Sequence, residues 1–287
     1  MQFPSAQHFI LSIPEPHVLL ITINRPKQFN ALNPDANWEL DRLLDWAEDT
    51  DDIWCIVITG AGGKAFCAGM DLVNWNKERK SGADGQGTES HMPPTGFGGL
   101  SNRALARKPV IAAVNGYALG GGTEMVMACN IVVATKKSKF GLPEVKRGVT
   151  IAAGGLARLA RAVSYQTVSE IALTGRHFTA EEFKNYGLVN QVVDDNVDIV
   201  QAALEWAKKI VANSPDAVFI TKYGIMLALE RGSMFDATKE WMESDEAIAW
   251  RNGDNLTEGL AAFAGKRAPV WKNPARVIHR NNNKSKL

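Results

Sequence analysis

The chain predicts a layered α/β fold followed by a helical region, and three observations carry that expectation. A buried apolar strand, a glycine-rich loop and a helix follow one another over residues 53–72, and the same order recurs over residues 110–128. Repeated units of this kind build a layered α/β domain. Beyond Asp194 the character changes to long amphipathic helices. The expected organisation is an α/β core over residues 1–195, a helical region over 196–280 and a tail over 281–287.

Taken in order, residues 18–23 (VLLITI) read as a strand and 24–27 (NRPK) as a loop. Pro34 after Asn33 suits a first helical position. Trp38, Leu43, Leu44 and Ala47 then fall mostly on one face, predicting a helix to about Glu48. Residues 53–59 (IWCIVIT) form a second buried strand. Residues 60–72 (GAGGKAFCAGMDL) are a loop with four glycines that turns into a helix near Asp71. Residues 77–99 are polar, rich in Gly and Pro and without periodicity, the character of a lid, a binding loop or a disordered segment. His91 lies there and is expected to be solvated rather than catalytic.

Residues 110–114 (VIAAV) read as a third buried strand, turned by Asn115-Gly116 and followed by a helix from about Met125. Residues 131–134 are a further strand. Pro143 suits the first turn of a helix that would carry Glu144. Residues 156–163 look helical, and Thr179 with Glu182 forms a capping box. Helices are expected over about 197–212, 215–231 and 233–251 and near 256–264. Trp206, Trp241 and Trp250 stand at helical spacings and are read as packing residues.

Composition excludes several classes. Hydrophobic residues make up 45% and charged residues 22%, with a net charge of +1, so nothing marks a nucleic-acid partner. No apolar run approaches the length of a membrane span. The three cysteines, Cys55, Cys67 and Cys129, have no metal-like spacing. Cys55 and Cys129 lie in apolar runs and read as core residues of a reducing compartment. No metal and no separate cofactor are expected. The N-terminus lacks the features of a secretory signal. The tail ends in Ser285-Lys286-Leu287, the peroxisomal import address, so a peroxisomal location and an import receptor are expected.

The chemistry is concentrated in residues 108–124, KPVIAAVNGYALGGGTE. A strand, a turn containing Gly120-Gly121-Gly122 and a helix start bring free backbone N–H groups to one point, which holds negative charge. Glu124 stands in the first turn beside it. Amides and a carboxylate together suggest chemistry on an oxyanion.

Five ordered motifs extend this reading: NRPKQFNAL (24–32), AFCAGMDL (65–72), KPVIAAVNGYALGGGTE (108–124), FGLPEVKRG (140–148) and LTGRHFTAEEFKNYGLVNQVV (173–193). With EGLAAFAGKRAPVW (258–271) they span nearly the whole chain and resemble the crotonase superfamily, specifically enoyl-CoA hydratase. The resemblance implies a spiral of ββα units with a C-terminal helical region used in trimerisation, and a homotrimer or a hexamer built as a dimer of trimers. It implies that the backbone N–H groups of Met70 and Gly121 grip a thioester oxygen, and that Glu124 and Glu144 activate water and protonate the α-carbon. Coenzyme A, part of the substrate, would lie along residues 24–28 and 68–72, including Lys27, Ala68, Asp71 and Leu72, with Lys266 or Lys272 of a neighbouring subunit near its phosphates.

The activity so implied is hydration of a trans-2-enoyl-CoA to 3-hydroxyacyl-CoA, or the reverse, in peroxisomal β-oxidation or in a specialised route such as siderophore or toxin synthesis. A 3,2-enoyl-CoA isomerase needs only one carboxylate, so the presence of both glutamates speaks against it. The neutral charge speaks against an RNA-binding, non-catalytic relative. Ala152 stands where the family usually has glycine, and the 77–100 loop is long. Both border the acyl pocket, so a larger or substituted acyl group than crotonyl is expected.

Overall fold

The structure is a computed structural model that describes residues 1–72, 75–76, 91–103 and 106–277. The expected address at 285–287 and most of the polar loop, residues 77–90, lie outside the described residues. The chain divides into two units. The first is residues 1–104 with 110–208, and the second is residues 105–109 with 209–287.

The first unit holds two sheets. Strands β1 (Phe9–Glu15), β2 (Val18–Ile23), β3 (Cys55–Gly60), β5 (Val110–Val114), β7 (Ile131–Thr135) and β10 (Gln191–Val193) form a six-stranded sheet in the order β1-β2-β3-β5-β7-β10. Only β1 runs antiparallel to its neighbour. Its central strands are buried throughout, as their unbroken apolar runs require. Strands β4 (Ala65–Cys67), β6 (Tyr117–Leu119), β8 (Lys139–Gly141) and β9 (Phe178–Thr179) form a second, four-stranded sheet, with β8 and β9 antiparallel. Helix α1 (Pro34–Asp49) begins where expected, with the Asn33 side chain accepting the Ala36 N–H. Leu40, Leu43, Leu44 and Ala47 on that helix are buried.

Several expectations are corrected. Residues 65–67 and 117–119, read as parts of glycine-rich loops, are strands. Three residues between glycines are too short for a period to show, and only their pairing across the second sheet defines them. β1 was not anticipated. Its Pro14 and polar residues suit an edge strand, and its register shifts between Ser12 and Glu15. The helix expected from Met125 starts at Gly121 (α2, Gly121–Ala128). Helix α3 covers Gly155–Ala162, and α4 (Tyr165–Thr174) follows it unanticipated. The capping box of Thr179 and Glu182 is present at α5 (Ala180–Asn185). His91 is not solvated: it is 6% exposed and meets the Trp75 ring edge-on at 6.1 Å. Cys55 is buried, but Cys129 is only half-buried.

Helix α6 (Ile199–Val211) carries the first unit to residue 208, and the Trp206 indole donates to the Gln191 side chain. The second unit contains α7 (Pro215–Glu230), α8 (Met234–Glu243), α9 (Asp245–Asn252) and α10 (Asp254–Ala264). The single helix expected over 233–251 is broken at Ser244. Its hydroxyl donates to the Trp241 carbonyl and accepts from the Ala247 N–H, so side-chain bonds replace the helical ladder there. Trp241 donates to the Ile220 carbonyl at 2.7 Å, a packing role.

Candidate active site

Two backbone turns meet at the centre of the first unit. After β4 the chain forms a parallel bridge between Leu32 and Met70. The Leu32 N–H donates to the Gly69 carbonyl at 2.9 Å and the Asp71 N–H to the Leu32 carbonyl at 3.0 Å. In such a ladder the intervening residue's own N–H points the other way, so the Met70 amide faces away from Leu32. Gly69 has φ +91°, and a Cβ there would sit 2.7 Å from the Leu119 carbonyl and 3.3 Å from the Gly121 nitrogen. Glycine alone permits both the conformation and the approach. Gly121 opens α2, where an N–H has no intrahelical acceptor. The two amides thus belong to turns in van der Waals contact.

Glu124 lies one turn into α2 and is 4% exposed. Its Oε1 accepts the Gly155 N–H at 2.9 Å and the Ala153 N–H at 3.1 Å. Burial raises its pKa, and these two N–H groups oppose the rise. A Cβ on Gly155 would meet Glu124 Cγ at 2.4 Å, so the glycine expected on the way into α3 is what lets the amide reach the carboxylate. Glu144 sits in a short 3-10 turn, Pro143–Arg147, and not in the first turn of an α-helix. Its Oε2 is buried without a hydrogen-bond partner among the described residues. Burial pushes its pKa up to about 7, helped by the Glu124 charge and opposed by its own backbone N–H.

Both carboxylates line a cleft of about 320 Å³, together with Ala68, Met70, Leu72 and Gly121. Lys27 is exposed and Asp71 directs its carboxylate to Arg25 at 3.4 Å; neither is among the lining residues. In the second unit Lys272 pairs with Asp254 at 2.8 Å and Lys266 is exposed. Trp75, Met92, Phe97, Arg147 and His177 also line the cleft; sequence reasoning missed all five. Only Phe97 carried a signal, its flanking glycines. The Phe97 ring lies where a Cβ on Gly121 would be, at 2.5 Å. Its loop is pinned by Ser101, whose hydroxyl accepts the Phe97 N–H at 2.7 Å and donates to the Ala153 carbonyl. Cys67 is buried behind the turn, and burial pushes its thiol up to about 12, so it is no nucleophile at neutral pH. The described residues contain no cluster able to hold a metal ion and no helix long and apolar enough to cross a membrane.

Adjacent turns carrying the Met70 and Gly121 amides, beside one buried and one half-buried carboxylate, are an arrangement able to stabilise an oxyanion and move protons. The enoyl-CoA hydratase/isomerase family model matches residues 15–274, and the chain belongs to that family, with the α/β crotonase fold. It is a hydro-lyase of the enoyl-CoA hydratase type. It is 44% identical over 277 residues to a mevalonyl-coenzyme A hydratase of Beauveria bassiana, covering 94% of this chain and 97% of that one. It is 40% identical over 269 residues to a mevalonyl-coenzyme A hydratase of Aspergillus fumigatus, covering 94% and 96%. Among solved structures, an enoyl-CoA hydratase from Mycobacterium tuberculosis superposes with a TM-score of 0.80 at 36% identity, covering 93% of this chain and 99% of that one.

Proposed function

We propose that this protein adds water to, or removes it from, a short β-branched acyl-CoA, with mevalonyl-CoA as the hydrated member of the pair. The observation that carries the chemistry is that Glu124 and Glu144 line one cleft with Met70 and Gly121. The likeness to two mevalonyl-coenzyme A hydratases supports the choice of acyl group.

In the dehydration direction, Glu144 takes a proton from the α-carbon. The electron pair moves onto the thioester oxygen, held by the Met70 and Gly121 N–H groups. Each such donor contributes about 2.7–4 kcal/mol. The enolate re-forms the carbonyl, the α–β double bond closes and the β-hydroxyl leaves as water, taking its proton from Glu124. Hydration is the reverse: water gives a proton to Glu124 as its oxygen adds to the β-carbon, and a protonated Glu144 delivers its proton to the α-carbon. The isomerase alternative requires one carboxylate; two in the cleft favour the hydratase reading.

The location and assembly belong to the same proposal. Ser285-Lys286-Leu287 supports a peroxisomal location, tested by the distribution of a tagged protein with and without that tripeptide. Exposed Phe235, Leu260 and Phe263 support a homo-oligomer, tested by light scattering. A specialised route such as siderophore synthesis is favoured over general β-oxidation.

The decisive assay incubates the protein with a panel of 2-enoyl-CoA thioesters and follows water gain by mass spectrometry. The panel comprises crotonyl, 3-methylcrotonyl, 5-hydroxy-3-methylpent-2-enoyl and a ten-carbon chain. The hydroxylated, branched member is expected to give the highest kcat/KM. A preference for an unbranched chain overturns the acyl assignment, and absence of water gain on every member overturns the hydratase reading.

A further inference from the structure

Glu124 takes its hydrogen bonds from a stretch of chain with little of its own to hold it. The Ala153 and Gly155 N–H groups both donate to Oε1, at 3.1 Å and 2.9 Å, yet they belong to separate peptide groups. Gly154 stands between them at φ +101°. Two successive glycines leave such a stretch many backbone conformations, so its order has to come from outside. The peptide group between the two donors, the one carrying the Ala153 carbonyl, is where an anchor would fix both. That carbonyl accepts the hydroxyl of Ser101, a residue 52 positions away and fully buried.

The same hydroxyl oxygen accepts the Phe97 N–H at 2.7 Å, and the Phe97 ring packs directly on Gly121. A hydroxyl has one proton and two lone pairs. Here the proton goes to Ala153 and a lone pair to Phe97, so one atom joins the backing of the oxyanion amide to the backing of the carboxylate. Gly96 makes the junction possible: at φ +84°, a Cβ there would sit 2.4 Å from Ser101 Oγ and 2.7 Å from the Ala153 oxygen. Ser101 is itself fixed at both ends. Its N–H donates to the Phe97 carbonyl at 3.2 Å, and its carbonyl accepts Arg158 Nε at 2.8 Å. Of the ionisable groups around Glu124, Glu144, Arg147 and His177 line the same cleft. Arg158 on α3 donates to the Ser101 and Arg103 carbonyls, and Cys67 on β4 stays protonated. Among the described residues the hydrogen bonds to the Glu124 carboxylate come from the two amides.

We infer that Ser101 is a positioning residue for both halves of the reaction, fixing through Ala153 the amides that hold Glu124 and through Phe97 the wall behind the Gly121 amide. It touches neither substrate nor proton. Its hydroxyl keeps the oxyanion donor and the proton acceptor in one register, which catalysis by preorganised groups requires. The inference rests on the hydratase reading of the cleft and is independent of which acyl group the enzyme prefers.

Infrared difference spectroscopy tests each half without turnover. In Ser101→Ala the Glu124 carboxyl, its band assigned by loss in Glu124→Gln, should titrate about one pH unit higher, the worth of one weakened hydrogen bond to a charged group. The thioester C=O stretch of bound butyryl-CoA should move back toward its value in water. For hydration, kcat should fall about tenfold with KM within about twofold. Ser101→Cys, close in size and a weak donor, should resemble Ser101→Ala and serves where the alanine variant does not fold. Ser101→Thr keeps the hydroxyl and should restore both infrared signals, whatever its added methyl does to stability. Signals that follow urea stability across these variants, and not the hydroxyl, overturn the inference in favour of a purely structural role. An unshifted Glu124 titration overturns the Ala153 half, and an unchanged stretch overturns the Phe97 half. A butyryl-CoA stretch in the native protein equal to that in water overturns the oxyanion reading of the site itself, an outcome distinct from either.

Discussion

Glu124 and Glu144 share one cleft, yet the chain holds them by opposite means. Glu124 stands on a helix, almost fully buried, with one oxygen clamped by two amides from the loop entering α3. Glu144 stands on a short 3-10 turn, with one oxygen unpartnered and its pKa pushed up to about 7. The difference teaches which carboxylate can do which task. Burial raises the pKa of both carboxyls; at Glu124 two clamped N–H donors oppose that rise, which suits it to take the proton of a bound water. A carboxyl with a free oxygen and a pKa near neutrality exchanges a proton with carbon in either direction.

The sharpest way to break this comparison is to remove one proton carrier at a time. Glu144→Gln should lower kcat by about 10²–10⁴-fold, the usual contribution of a positioned acid–base group, with KM moving much less. Glu124→Gln should cost within the same range. The double variant should lose less than the product of the two, because both act in one step. Product formation followed by mass spectrometry reads all three, and additive losses would mean that the carboxylates act independently.

The pH profile tests the asymmetry directly. The pair of carboxyls must hold one proton in either direction, so kcat/KM for hydration and for dehydration should fall together, about tenfold per pH unit above about 7. Glu144 also bears on stability. Its folded pKa lies above the usual 4.5, so its contribution is fully present below 4.5 and is lost as pH rises through about 7. A kcat/KM that stays level well above pH 7 would contradict the division of labour.

Gly155→Ala attacks the Glu124 clamp alone. The new methyl collides with Glu124 Cγ, and overpacking of this kind costs about 1–3 kcal/mol of stability, read from urea denaturation; kcat should fall with it. Ser101→Ala releases the Phe97 loop from Ala153 and should cost about 1–2 kcal/mol in the same assay. The smallest effect is expected from Met70→Leu. The backbone amide is the working group there, so kcat should stay within about twofold, and a loss like that of Glu144→Gln would show that the side chain matters.

Much of this was legible in the amino-acid order. Apolar runs interrupted only by threonine marked β2, β3, β5 and β7, because strands buried on both faces carry few polar residues. Local side-chain chemistry marked the starts of α1 and α5. The motif resemblance pointed to Met70, Gly121, Glu124 and Glu144, all of which line the cleft. It also placed Lys27 and Asp71 along the coenzyme A, outside the cleft that holds the carboxylates. The three-residue strands of the second sheet stayed hidden, since pairing between distant segments and not local pattern makes them strands. The clamp on Glu124 comes from residues about thirty positions away, and part of the cleft lining from Met92 and Phe97 in a stretch with no periodicity. Sequence alone determined which groups could do chemistry. Folding decided their protonation, because burial and the direction of a few amides are set by contacts remote along the chain, and these separate two glutamates of identical covalent structure.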